Sequence, residues 1–329
     1  MQTHPPIHRP TGAASAQQVS CAMDIILHIG AHRTGVASFQ DYLRRHAEAL
    51  SACDIACFQP ARSTTFPDAR TVSRVGLTAQ DYGCVQSQMD QARQRGMQTL
   101  LISDADSLGS VAQNIEQRRL YPAAGARLKQ VAGRLGAQIS TVLISIRSLE
   151  TYWCSALAHG ISQGLDVPDR DALAQIARDA RGWRDVITDI SDALPRTTIA
   201  VLPFEDFRGR SDLILAQGAG LDAPFDTQRA WLNRMPRLPE LRRVLNDRGA
   251  ASSDLPFGMG RWNPFTNEEH AALREIHADD IMWLTAGADG RATLREDRRP
   301  ERAGPTLPRM AQNKGQEDEL DKRQMARPR

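Results

Sequence analysis

DIILHIGAHRTGVASFQDYL, residues 24–43, carries the strand, loop and helix around which the rest of the chain is arranged. Residues 24–29 form an apolar, partly β-branched run and are predicted to be a strand, while Phe39, Tyr42, Leu43, Ala47 and Leu50 recur at helical spacing and predict a helix over 38–52. Between the two elements lie Gly30 and Gly35, with four residues separating them. A strand, a tight glycine-flanked turn and a helix make a phosphate cradle: the glycines permit the turn, successive backbone N–H groups face inward, and the helix adds its positive N-terminal end. Arg33 brings a full positive charge to the same anion. A plain strand-to-helix turn is the competing reading of this loop.

Working outward, short apolar runs alternate with amphipathic ones. Residues 99–103 (TLLIS), 139–146 (ISTVLISI) and 198–203 (TIAVLP) read as further buried strands, and residues 80–95, 120–135, 151–161, 171–194 and 267–284 as helices. Continuous apolar strands flanked by helices predict a parallel sheet covered on both faces, hence a three-layer α/β/α fold with a mostly parallel central sheet. Residues 23–285 are expected to form one domain. Residues 1–22 and 286–329 are polar, rich in Pro, Gln, Ser or charge, and poor in large aliphatics, so both are expected to be disordered tails. Met23 stands just before the first strand and is an alternative start.

Composition excludes more than it assigns. The 329 residues are 41% hydrophobic and 24% charged, with 41 Lys and Arg against 39 Asp and Glu, so a net charge of +2 gives no reason to expect nucleic acid or a membrane surface as partner. Any anion site must be local. Five scattered cysteines in a chain of this size fit unpaired thiols in a reducing, cytoplasmic setting, and the spacing of Cys53 and Cys57 lacks the partners of a metal site. No run approaches the roughly 18 apolar residues of a membrane span, and no apolar N-terminal segment has the length of a signal peptide. Neither GxSxG nor HExxH occurs, and the eight histidines show no ligand spacing.

A nucleotide triphosphatase loop ends in a lysine followed by a hydroxyl residue, for the β/γ-phosphates and for magnesium, whereas this loop ends in Gly35, Val36 and Ala37. A magnesium-dependent kinase or NTPase is therefore the weaker alternative, although TLLISD, ending at Asp104, has the look of its acidic strand. HIGAHRTGVASFQ resembles instead the 5′-phosphosulfate loop of sulfotransferases that use 3′-phosphoadenosine 5′-phosphosulfate (PAPS), in particular a bacterial group in which it reads HIGxxKTGTTxxQ. A second motif is similar to that family's 3′-phosphate site, an arginine ending a buried strand and a serine eight positions later: here Arg147 and Ser155. A guanidinium and a hydroxyl so spaced can converge on one phosphate. Weaker echoes extend to PFEDF (203–207), the WLNRMP segment with Asn233, GMGRW (258–262) and the run at 265–284.

The resemblance implies a P-loop-like fold and transfer of a sulfuryl group from PAPS to a hydroxyl of a carbohydrate or small-molecule acceptor, with no metal required. It implies that Gly30, Arg33, Thr34, Gly35, Val36, Ala37 and Ser38 hold the phosphosulfate, that Arg147 and Ser155 fix the 3′-phosphate, and that Arg33 stands where the family has the lysine facing the leaving phosphate. Val36 and Ala37 replace two family threonines, a departure that leaves a non-catalytic nucleotide-binding homologue as the second alternative. For the acceptor proton, Asp104 follows a strand directly and is the first candidate base, with a helix or turn cap as its equal competitor. His32, in the cradle itself, is the next. An ordinary ion pair with Glu150 is the competing reading of Arg147.

Overall fold

The computed structural model describes residues 23–60, 79–179, 181–228, 231–250 and 254–296. The extension expected over residues 1–22, with the start-site question attached to it, and residues 297–329 of the expected tail lie outside the described residues. In chain order the first half comprises β1 (Asp24–His28), α1 (Val36–Arg45), α2 (Ala47–Ala52), β2 (Ile55–Phe58), α3 (Ala79–Gln94), β3 (Thr99–Ser103), α4 (Val111–Gln117), α5 (Ala124–Leu135) and β4 (Ile139–Ile146). The second half comprises α6 (Leu149–Ser162), α7 (Arg170–Arg178), α8 (Trp183–Ala193), β5 (Thr198–Pro203), α9 (Phe204–Phe207), α10 (Ser211–Leu213), α11 (Leu238–Asp247), α12 (Asn267–Thr285) and β6 (Thr293–Leu294).

The six strands form one sheet in the order β2-β3-β1-β4-β5-β6, and every neighbouring pair is parallel. Helices cover both faces, and the side-chain alternation of the strands shows why the runs are apolar throughout. Ile25, Leu27, Ile102, Val142, Ile144 and Val201 point into the larger core with α5, α6 and α8, while Ile26, Leu101, Leu143 and Leu202 point into the smaller one with Phe39, Tyr42 and Leu43 of α1. The chain leaves β1 toward one edge and β4 toward the other. In an open parallel sheet that reversal places the ligand crevice over the carboxyl ends of those two neighbours.

Three expectations need correction. The domain does not end at residue 285: Thr293 and Leu294 pair with Ala200 and Val201 as a sixth strand, a pairing in which the backbone, not apolar content, makes the attachment. The helix expected over 38–52 starts earlier, at Val36, and breaks at His46 into α1 and α2. The helix expected over 171–194 is two helices, because Gly182 begins α8 anew. A Cβ at Gly182 would collide with the Asp280 carboxylate, which accepts from the N–H groups of Trp183 (2.7 Å) and Arg184 (3.1 Å) and so caps α8 from across the core. Burial raises the Asp280 carboxyl to about 6. Among the described residues no helix is long and apolar enough to cross a membrane, and Cys53, Cys57, Cys84 and Cys154 are free thiols.

Candidate functional site

The loop after β1 is tied to β4 before it turns. Leu143 O accepts from Ile29 N (3.0 Å) and Ser145 O from Ala31 N (2.9 Å), so the strand pairing runs on into the loop. Gly30 and Gly35 have φ of 97° and 86°, in the left-handed region that glycine enters without strain, and a Cβ at Gly30 would press on His32 N at 3.1 Å. Arg33, with φ of 64°, sits in the same region between them. Gly35 is the N-cap of α1 and no side chain caps that helix, so its first N–H groups, at Val36 and Ala37, have no side-chain partner there. The two hydroxyls of the loop are already engaged. Thr34 Oγ1 donates to Ala31 O (2.6 Å), and Ser38 Oγ accepts from Leu232 N (3.1 Å).

Two guanidinium groups meet at the mouth of this loop. Arg33 Nε donates to Ser155 Oγ (3.0 Å) and its Nη2 to Asn233 O (2.9 Å). Arg147 donates through Nε to Thr151 Oγ1 (3.0 Å) and through Nη1 to Arg33 O (3.2 Å), while Phe204 supports it with a ring centroid 5.0 Å from Cζ. Trp183 Nε1 donates to Arg147 O (2.7 Å) and fixes the strand end that carries it. Burial, and then the neighbouring Arg147 charge, bring Arg33 down to about 10. Burial likewise lowers Arg147, with Glu205 opposing the shift and Arg261 and Arg208 adding to it. Glu205, at 3.9 Å and half exposed, is the ion-pair partner of Arg147 in place of Glu150, and Arg33 has no carboxylate partner among the described residues.

The sequence placed Arg147 and Ser155 on one phosphate; here the Ser155 hydroxyl takes Arg33 and Arg147 takes the Arg33 carbonyl. Arg33, Arg147 and Ser155 are thereby one hydrogen-bonded cluster at the loop between Gly30 and Gly35. Asp104 is not part of it. It is 1% exposed, stands as N-cap of a 3₁₀ turn over Ala105–Leu108, and accepts from Asp106 N (3.2 Å) and Ser107 Oγ (2.9 Å). That is the cap geometry, in which the carboxylate is spent on its own turn.

His32 is also committed. Its Nε2 pairs with Asp106 Oδ1 (2.7 Å), its Nδ1 with the Tyr121 hydroxyl (2.9 Å), and the same hydroxyl accepts from its backbone N (2.9 Å). His28, beneath the loop, is buried against Phe39 and hydrogen-bonded to Ser103 Oγ (2.9 Å), and burial pushes it down to about 3. The residue the sequence reading passed over is His159. Burial, with the charges of Arg33 and His32 next in weight, pushes it down to about 4, so it stands beside the loop as a neutral imidazole. Its four-residue spacing from Ser155 on one helix was the signal available. No protein-family model and no curated protein matches the chain.

Proposed function

We propose that the chain is a sulfotransferase that moves a sulfuryl group from PAPS to a hydroxyl of a carbohydrate or small-molecule acceptor. The carrying observation is the pair of half-buried arginines, Arg33 and Arg147, linked through the Arg33 carbonyl at a glycine-flanked loop, with a single half-exposed carboxylate, Glu205, beside Arg147 alone. Two like charges brought out of water repel each other and lose hydration, and a multiply charged anion reverses both costs. The missing GK[ST] residues disfavour a magnesium-bound triphosphate, and the arrangement suits a ligand with two separate phosphates. In this reading the loop N–H groups of Val36 and Ala37 hold the 5′-phosphosulfate. Arg33 neutralises the phosphate that departs. Arg147 takes the 3′-phosphate, and Ser155, which accepts from Arg33, still has its O–H to donate.

The alternative is a nucleotide-binding homologue without transfer activity. Thr34 favours it, since its hydroxyl proton is spent on Ala31 O and not turned to a ligand. Calorimetry with 3′-phosphoadenosine 5′-phosphate against ADP and ATP separates a sulfotransferase-type site from a kinase-type one: preference for the 3′-phosphate is expected, and equal or tighter ATP binding refutes the proposal. Assayed transfer from PAPS then separates the enzyme from the binder.

A further inference from the structure

Sulfuryl transfer to an alcohol needs a group to receive the acceptor proton, and the two residues first considered for it are engaged, Asp104 as a cap and His32 by both ring nitrogens. We infer that His159, on α6, is the base that takes the acceptor proton, an inference that rests on the sulfotransferase reading of the site. Three observations converge on it.

The first is helix register. Tyr152, Ser155 and His159 share one face of α6, and that face meets the loop after β1. Ser155 Oγ receives the Arg33 Nε–H, and Tyr152 packs on Tyr121, the tyrosine that holds His32. Helical side chains lean toward the N-terminus, so the His159 ring lies over the turn that carries Ser155. The second is access. From Tyr152 to Ala158 the helix is buried at every position, and His159 is where it becomes partly exposed. The third is availability. Neither ring nitrogen of His159 makes a hydrogen bond among the described residues, so a lone pair is free. The groups whose charge reaches it from the loop are Arg33 and His32, the latter paired to Asp106. Both neighbours favour the neutral ring until an anion covers Arg33, and the same anion then raises the affinity of His159 for a proton.

The chemistry balances without a further reactant. As the acceptor oxygen bonds to sulfur, its proton passes to the free nitrogen of His159. The bond between sulfur and the 5′-phosphate oxygen breaks, and its electron pair stays on that oxygen beside Arg33. The imidazolium then returns its proton to water.

The test uses water as the acceptor, so that no natural acceptor need be known: release of 3′-phosphoadenosine 5′-phosphate from PAPS is followed for wild type and His159→Gln. The variant is expected to be slower by about 10²-fold with bisphosphate affinity within about threefold of wild type. A folded variant that releases bisphosphate at the wild-type rate overturns the inference. So does a wild type that binds the bisphosphate and releases none, an outcome that leaves the binder reading standing. Failure of the whole site reading shows separately, as absence of 3′-phosphate preference in calorimetry. Should His159→Gln not fold, the wild-type protein decides: diethyl pyrocarbonate is expected to acylate His159, read by peptide mass, and the bisphosphate to protect it. Modification of His270 with His159 untouched refutes the assignment.

Discussion

Replacing Arg33 by methionine separates a side chain kept for ligand binding from one kept for stability. At neutral pH the guanidinium is charged in both folded and unfolded chains, yet its folded value is about 10 against an ordinary value near 12.5, a difference that corresponds to about 3 kcal/mol. The sign follows from the lowered value: the folded protein bears the full cost at any pH below about 10 and sheds it only above the ordinary value. Methionine removes that cost and keeps an apolar stem in place. It also forfeits the hydrogen bonds to Ser155 Oγ and Asn233 O, which as charge-assisted bonds contribute about 1.5–3 kcal/mol each. The Ser155 hydroxyl can reorient and Asn233 O is exposed, so part of that loss is recovered from water. The two effects nearly cancel, and the unliganded variant is expected within about 1 kcal/mol of wild type, where a structural arginine of equal burial would cost about 3 kcal/mol or more. Binding behaves otherwise. If Arg33 contacts phosphate as proposed, losing that charge-assisted contact is expected to weaken bisphosphate binding roughly 10- to 150-fold. Urea melts with and without 3′-phosphoadenosine 5′-phosphate read both numbers, because ligand at about 100 times the wild-type Kd adds about 2.7 kcal/mol to wild type and about half of that or less to the variant. A variant that loses several kcal/mol unliganded while keeping the full ligand increment refutes the reasoning, since Arg33 would then be holding the fold and not the anion.

Asp104→Asn should leave turnover unchanged and cost at most about 1 kcal/mol in a thermal melt, because asparagine caps a turn nearly as well as aspartate; a rate about 10²-fold lower in a folded variant would return Asp104 to the chemistry. His28, ordinarily near 6.5 and held at about 3 by burial, stays neutral in the fold, so its contribution is intact above pH 6.5 and falls away as pH drops from 6.5 toward 3. Between pH 7.5 and 5 that amounts to about 2 kcal/mol, expected in urea melts of wild type and missing in His28→Gln; parallel pH profiles for the two proteins would disprove it.

The four long strands were legible because each is buried on both faces. A run such as TVLISI cannot alternate with polar residues when Val142 and Ile144 enter one core and Leu143 the other. The edge strands were not legible for the same reason turned round. β2 has four residues and β6 two, and at an edge the backbone hydrogen bonds carry the attachment, so Thr293 and Leu294 have no apolar signature to show. The break at Gly182 was hidden differently. Its cause is Asp280, nearly a hundred residues further on, whose carboxylate needs the space a side chain would fill.

At the site, sequence spacing located the charges but not their pairing. Eight residues from Arg147 to Ser155 fit a shared phosphate, and both residues do reach the loop. Which guanidinium takes the hydroxyl depends, however, on the left-handed turn at Arg33, which directs that side chain across to α6 and its carbonyl toward Arg147. The proposed base was illegible for a stronger reason. Asp104 has the position of a catalytic residue, at the carboxyl end of a central strand, but the turn that follows offers it Asp106 N and Ser107 Oγ at once, and a carboxylate satisfied at 1% exposure has nothing left to offer an acceptor. His32 lies in the loop itself and is claimed by Tyr121 and Asp106, residues 89 and 74 positions away. What distinguishes His159 is the lack of such claims, a property that no pattern of neighbours in sequence expresses. A side chain available for proton transfer is one that the fold has left unpaired at a place it has otherwise filled, and in this chain that place is the turn of α6 after Ser155.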